Sequence, residues 1–149
     1  MWLLSRVRRT LNRGQSLLSA EFDTVLTNVG QDYPILGTFI DSANRNFTTS
    51  AAGEVTLTGI PGWYAFNGVS NVKSNKVATI NYTLFENGVA IPGATTPNTF
   101  SNANSYVNLS ITNIIQLHTG DVLDVRAKSN TISTTLTVYN LMINLIGPL

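Results

Sequence analysis

Residues 105–128, SYVNLSITNIIQLHTGDVLDVRAK, constrain the fold more than any other stretch. Val107, Leu109, Ile111, Ile115 and Leu117 share one parity, Asn108, Ser110 and Thr112 share the other, and only Asn113 breaks the apolar series. Apolar residues at every second position specify a β-strand with one buried face, because successive side chains point to opposite sides of the backbone. Thr119-Gly120-Asp121 then supplies turn chemistry, with glycine reaching positive φ and aspartate bonding its own backbone. A second strand follows, Leu123, Val125 and Ala127 facing in and Asp124, Arg126 and Lys128 facing out. The unit is a strand, a tight turn and a strand.

The same reading extends upstream. Residues 54–60 alternate Val55, Leu57 and Gly59 against Thr56 and Thr58. Residues 62–69 carry Trp63, Tyr64 and Phe66 on both faces of one strand, and a strand apolar on both faces needs cover on both. Core filling and burial between subunits both satisfy that need. Ala78, Ile80, Tyr82 and Leu84 oppose Thr79, Asn81 and Thr83 in the next strand, and Asn87-Gly88 is a strong hairpin signal. Residues 92–105, rich in Thr, Asn and Ser with Pro97 among them, read as a loop. It either crosses between sheets or binds a ligand, with Thr95, Asn98, Phe100, Asn102 and Asn104 as the candidate ligand-facing residues. In residues 134–146, Leu136 and Val138 hold one parity while Tyr139, Leu141, Ile143 and Leu145 hold the other. Either a bulge near Tyr139 re-aims the side chains, or both faces are covered.

Three of these pieces resemble one family. Leu117-x-x-Gly120-Asp121-x-Leu123-x-Val125 resembles the penultimate hairpin of the TNF-like jelly rolls, a superfamily spanning tumour necrosis factor, the globular head of complement's first component, and bacterial and phage relatives. Gly62-Trp63-Tyr64-Ala65-Phe66 is similar to the family's Gly-x-Tyr-x-aromatic strand. Residues 83–91, with Asn87-Gly88 inside them, are similar to its strand, Asn-Gly, short-strand segment. The resemblance covers about residues 54–146. It implies an all-β, TNF-like jelly-roll sandwich whose C-terminal strand lies in the inner sheet near a three-fold axis, and hence a homotrimer. Trp63, Tyr64, Phe66, Tyr139, Leu141 and Ile143 are then the candidate interface residues. No collagen-like Gly-x-y tract precedes the head, unlike in the collagen-stalked relatives.

Residues 1–30 have a different character from residues 31–149, which form the expected head domain. Leu4, Val7 and Leu11 lie at helical spacing, as do Leu18, Phe22, Val25 and Val29; Gly14 separates the two pieces, Ser16 suits an N-cap and Gly30 a stop. The four arginines Arg6, Arg8, Arg9 and Arg13 sit here, and they leave the rest of a chain of net charge +1 slightly acidic. Such an arm packs on its own domain, bundles with its copies, touches nucleic acid or inserts into a partner. Four arginines beside Trp2, Leu3 and Leu4 are few and apolar for nucleic acid. The favoured reading is an anchoring arm, helical or extended, built on Trp2, Leu4, Arg6, Val7, Arg8, Arg9, Leu11 and Arg13. No apolar run approaches the roughly 20 residues of a membrane span, and the arm is not a convincing signal peptide.

No catalytic set emerges. His118 is the sole histidine, and its place before a turn explains it. Asp121 and Asp124 stand near it without a third ligand, so neither metal nor cofactor is expected. There are no cysteines, and charged residues make up only 11% of 149, a composition suited to subunits that meet without desolvating charge. The expectation is therefore a non-enzymatic virion structural protein. It would be a trimeric phage head decoration or fibre protein on the outer surface, arm docked on the capsid and head turned toward host receptor or glycan. A jelly-roll coat protein and a bacterial carbohydrate- or receptor-binding module are the rival readings.

Overall fold

Every element of the computed structural model, which describes residues 12–18, 22–35, 37–41 and 46–149, is a β-strand. One sheet is built on β7 (Gly62–Ser74), flanked by β10 (Tyr106–Leu117) and β12 (Thr134–Gly147). Beyond β12 lie β1 (Asn12–Leu18) and β4 (Phe39–Asp41), and β2 (Phe22–Leu26) pairs with the start of β12. We call this the inner sheet, after the sheet that the TNF-like resemblance assigns to the C-terminal strand. The outer sheet runs β5 (Phe47–Thr49), β6 (Val55–Leu57), β11 (Val122–Ser129), β8 (Ala78–Glu86), β9 (Val89–Phe100), with β3 (Tyr33–Pro34) also on β11. All pairings are antiparallel. Two antiparallel sheets face to face, with crossovers between them, make the jelly-roll sandwich expected from the sequence.

Alternation decides what fills the space between the sheets. Leu109, Ile111, Ile115 and Leu117 of β10 are buried, as are Leu123, Val125 and Ala127 of β11 and Ala78, Ile80, Tyr82 and Leu84 of β8. Tyr64 and Phe47 meet edge to face at 5.6 Å and 84°, a favoured aromatic geometry, and the Tyr64 hydroxyl donates to the Ile60 carbonyl. The hairpin at Asn87-Gly88 has positive φ at both residues, 50° and 79°, as a type I′ turn requires. Gly120, at φ 94°, opens the turn before β11.

The long C-terminal strand resolves its two parities with a bulge. The β12 register against β7 shifts between Tyr139 and Met142, and Asn140 takes a left-handed φ of 50°. Val138 and Leu141 both point into the core as a result, while Tyr139 points out. The Ser70 hydroxyl donates to the Tyr139 carbonyl at 2.7 Å and pins the irregularity.

Three expectations are corrected. The helix over residues 16–29 is absent: β1 and β2 occupy most of that stretch and pair with β12, Thr137 donating to Asp23 at 2.6 Å. Leu18, Phe22 and Leu26 are spaced by four, a spacing that also keeps one parity in a strand, so local pattern did not separate the two states. Val25 and Val29, counted into the helical stripe, are exposed. The head consequently begins before residue 31, because β1 and β2 are strands of its inner sheet. Finally, most of residues 92–105 is strand, since β9 runs through Phe100. Pro92 and Pro97 disguised it; on the edge of a sheet a proline's missing N–H faces solvent and costs no ladder bond.

Strand directions give the sandwich two poles. β1 starts at one of them, Asn12 opposite Gly147, with the 87–88 and 118–121 turns nearby. The 75–77, 101–105 and 130–133 turns lie at the other.

Candidate functional site

The outward face of the inner sheet is where side chains lack cover. Its rows follow the register across β10, β7 and β12. At the β1 pole Gln116 lies beside Trp63, and the next row is Ile114, Ala65, Ile146. Further along come Ser110, Val69, Met142, then Asn108, Asn71, Tyr139, and finally Tyr106, Lys73, Thr137. Trp63 is 52% exposed, Ile114 60%, Tyr106 62% and Ile146 39%. Trp63, Ile114 and Ile146 lie in adjacent rows and form an apolar patch at the β1 pole, while Tyr106 lies at the far pole beyond the polar row of Thr112, Asn67 and Asn144.

Charge sharpens the contrast between the two faces. Lys73 is the only charged residue in β7, β10 and β12. The outer sheet instead displays Glu86, Asp124, Arg126 and Lys128. Arg126 forms a two-pronged contact with Asp124 at 2.7 and 3.4 Å while its guanidinium lies 4.2 Å over the Phe85 ring, and Lys128 meets Asp32 at 3.3 Å. A charge-poor, aromatic- and aliphatic-rich surface has the composition of the buried centre of an interface, whereas the charged one suits water.

Near the far pole the inner-sheet face changes texture. The Tyr106 and Tyr139 rings pack 5.4 Å apart at a 48° tilt, with the Lys73 ammonium 5.8 and 5.9 Å from their centroids. Beside the bulge, Val69, Asn71, Asn108, Ser110 and Tyr139 rim an open hollow of about 370 Å³.

Of the six expected interface residues, only Trp63 and Tyr139 lie on this face. Tyr64, Phe66, Leu141 and Ile143 are at most 3% exposed and fill the subunit's own core, so they have no surface to offer a neighbour. On β7 the strict alternation sends Trp63 out and Tyr64 and Phe66 in; on β12 the bulge does the sorting. Sequence reasoning missed Ile114, Ile146 and Tyr106. Ile114 carried a usable signal, because it is an apolar residue on the otherwise polar parity of its strand.

The expected ligand-facing loop is likewise redistributed. Phe100 is wholly buried, and Asn98 points inward, its side-chain amide donating to the Asn108 carbonyl at 3.2 Å. Thr95 shares a 2.8 Å hydroxyl bond with Thr83 across the β8–β9 pairing. Thr95 stays exposed at the sheet edge, and Asn102 and Asn104 are exposed in the short turn before β10. Of the expected arm, Trp2, Leu4, Arg6, Val7, Arg8, Arg9 and Leu11 lie outside the described residues, and Arg13 is described only as a β1 position opposite Ile146.

Titratable groups gather at the β1 pole. Asp121 accepts from the His118 backbone N–H at 2.6 Å and from the Asn87 amide at 2.9 Å, and the Asn87 carbonyl oxygen accepts from the Val122 N–H. Burial alone would raise the Asp121 carboxyl, but these hydrogen bonds outweigh it and hold the group below the ordinary carboxylate range. Glu86 is pushed the other way, by burial first and then by the neighbouring Asp121. His118 stands 3.5 Å from Asp121 and is largely exposed. This network ties the two turns of this pole together. Among the described residues no three acidic or histidine side chains assemble as a metal set, and no helix is long and apolar enough to cross a membrane.

Neither a family model nor a curated protein matches this sequence. Solved structures do match in fold. The TNF protein Eiger from S. frugiperda superposes with a TM-score of 0.64 at 12% identity, over 93% of each chain. Murine APRIL gives 0.58 at 12% identity, over 91% of this chain and 99% of its own. The globular domain of zebrafish complement 1qA gives 0.53 at 16%, over 91% and 95%. The chain has the TNF-like jelly-roll fold.

Proposed function

We propose that this chain is a non-enzymatic assembly protein. Three copies bury the outward face of the inner sheet around a common axis, and the trimer is displayed on the outside of a virus particle, as a phage head decoration or fibre protein. The observation that carries the reading is the contrast between the two sheets. One face offers Trp63, Ile114, Ile146 and Tyr106 with a single charge in three strands; the other is charged and internally paired. Copies meeting through the first face remove apolar surface from water while desolvating almost no charge.

The polarity of the sandwich supports display. Chain preceding Asn12 joins the head at the pole of Gly147, while the Asn102 and Asn104 turn lies at the opposite pole. Residues 1–11, with three arginines, a tryptophan and four leucines or valines besides, therefore join the head at the pole opposite the exposed turns. Three arms on one trimer engage a capsid multivalently, and this strengthens attachment without new contacts per arm.

The test is the mass of the full chain and of a variant lacking residues 1–11, by light scattering after size exclusion. Trimers from both support a head that self-associates and an arm free to anchor it. Large closed shells from the full chain alone indicate a coat protein, and monomers from both overturn the reading.

A further inference from the structure

A second hollow lies on the opposite side of the molecule, on the outward face of the outer sheet and at the pole away from β1. It measures about 360 Å³, toward the lower end of the roughly 300–1,000 Å³ typical of small-ligand sites. Thr79 and Asn81 of β8, Lys128 of β11, Asn130 just beyond it, and Val29 from the turn after β2 border it.

The hydrogen-bonding capacity left over there is specific. Asn130 uses its carbonyl oxygen twice, accepting from the Thr79 N–H at 2.8 Å and the Thr131 hydroxyl at 3.1 Å. That fixes its orientation and keeps its amide protons for another partner. Asn81, whose carboxamide both donates and accepts, has no side-chain hydrogen bond among the described residues. Lys128 brings an ammonium whose charge is balanced by Asp32 at 3.3 Å, and the second Asp32 oxygen is buried without a partner. Val29, 57% exposed, adds an apolar wall. The set therefore mixes donors and acceptors, is close to neutral, and has an apolar side.

We propose that this hollow binds a neutral saccharide. Adjacent sugar hydroxyls each donate and accept, which matches paired carboxamides flanked by an ion pair, and the C–H edge of the ring matches Val29. A phosphate or carboxylate ligand would meet a lysine already neutralised by Asp32 and gains little. The inference does not depend on the virion reading or on trimer formation. The hollow and the inner-sheet face lie on opposite sides of the sandwich, so the site stays open in monomer and trimer alike.

The test is a titration of the ¹⁵N-labelled full chain, following side-chain amide resonances, with glucose, galactose, mannose, rhamnose and N-acetylglucosamine in turn, and with inorganic phosphate as the anionic probe. The Asn81 and Asn130 amides shift and saturate with at least one sugar, in the millimolar range, and not with phosphate. Asn81→Ala weakens that sugar about tenfold, the scale of one or two lost hydrogen bonds, while Asn102→Ala in the neighbouring turn leaves it unchanged. Because the Asn81 side chain makes no hydrogen bond among the described residues, its replacement keeps the dispersed spectrum of the folded protein. Amides that respond to no sugar, or to phosphate alone, overturn the proposal on the wild-type protein without recourse to any variant.

Discussion

Asp121 and Tyr82 represent two opposite treatments of a polar side chain. Asp121 accepts two short hydrogen bonds that join two turns, and the charged form is favoured by them. A carboxyl lowered in the folded state contributes stability that is complete above its unfolded value and is lost as pH falls through the folded one. Glu86 is raised, so its contribution is complete below its unfolded value and is lost as pH rises through the folded one. Chemical denaturation from acid to neutral pH separates them: Asp121→Asn flattens the acid limb, while Glu86→Gln flattens the limb above it and gains stability relative to wild type near neutrality. Tyr82 is wholly buried, its hydroxyl finds no partner, and burial pushes its ionisation far above the ordinary tyrosine range, the nearby Asn98 side chain offsetting this only in part. Removing a buried, unpartnered hydroxyl relieves a desolvation cost of about 1–3 kcal/mol. Tyr82→Phe is accordingly neutral or stabilising in thermal melts. A drop of Tm in that variant would mean that the hydroxyl is bonded in solution.

Among the elements, β12 carries the decision that the rest of the inner sheet depends on. Its bulge lets Val138 and Leu141 both reach the core, and it turns Tyr139 out toward Tyr106 and Lys73. Asn140 holds the left-handed conformation, which asparagine tolerates and a β-branched residue does not. Asn140→Ile is predicted to cost about 1–2 kcal/mol in denaturation midpoint energy, and Asn140→Gly to cost little or nothing. Equal losses in the two would contradict the backbone explanation. The bulge was legible in the sequence, because the apolar parity changes sides between Val138 and Leu141. Strands β10, β11 and β8 were legible for the same reason, each a clean alternation bounded by Gly-Asp or Asn-Gly. β1, β2 and β9 were not. Phe22 and Leu26 satisfy helix and strand spacing equally, and what places them in a sheet is the open flank of β12, a contact more than a hundred residues away in sequence. In β9, prolines that would break an inner strand sit on an edge where they are harmless, so local chemistry argued for loop.

Taken whole, the molecule is a two-faced sandwich with two distinct poles, and that division was only partly visible beforehand. Aromatic content drew notice to Trp63, Tyr64 and Phe66 together, yet alternation gives one of them to the surface and two to the core. Ile114 and Ile146, remote in sequence, reach one row only through β7 between them. In the proposed assembly this row and its neighbours are covered by other copies of the chain. Central apolar anchors of such a face carry about 2 kcal/mol or more each, and a charge placed there also has to be desolvated. Sedimentation equilibrium of the wild type beside Trp63→Asp tests this directly. The expected result is a wild-type mass three times the 16.1 kDa chain and a folded monomer for the variant. A monomeric wild type, or a variant that remains fully trimeric, would contradict it.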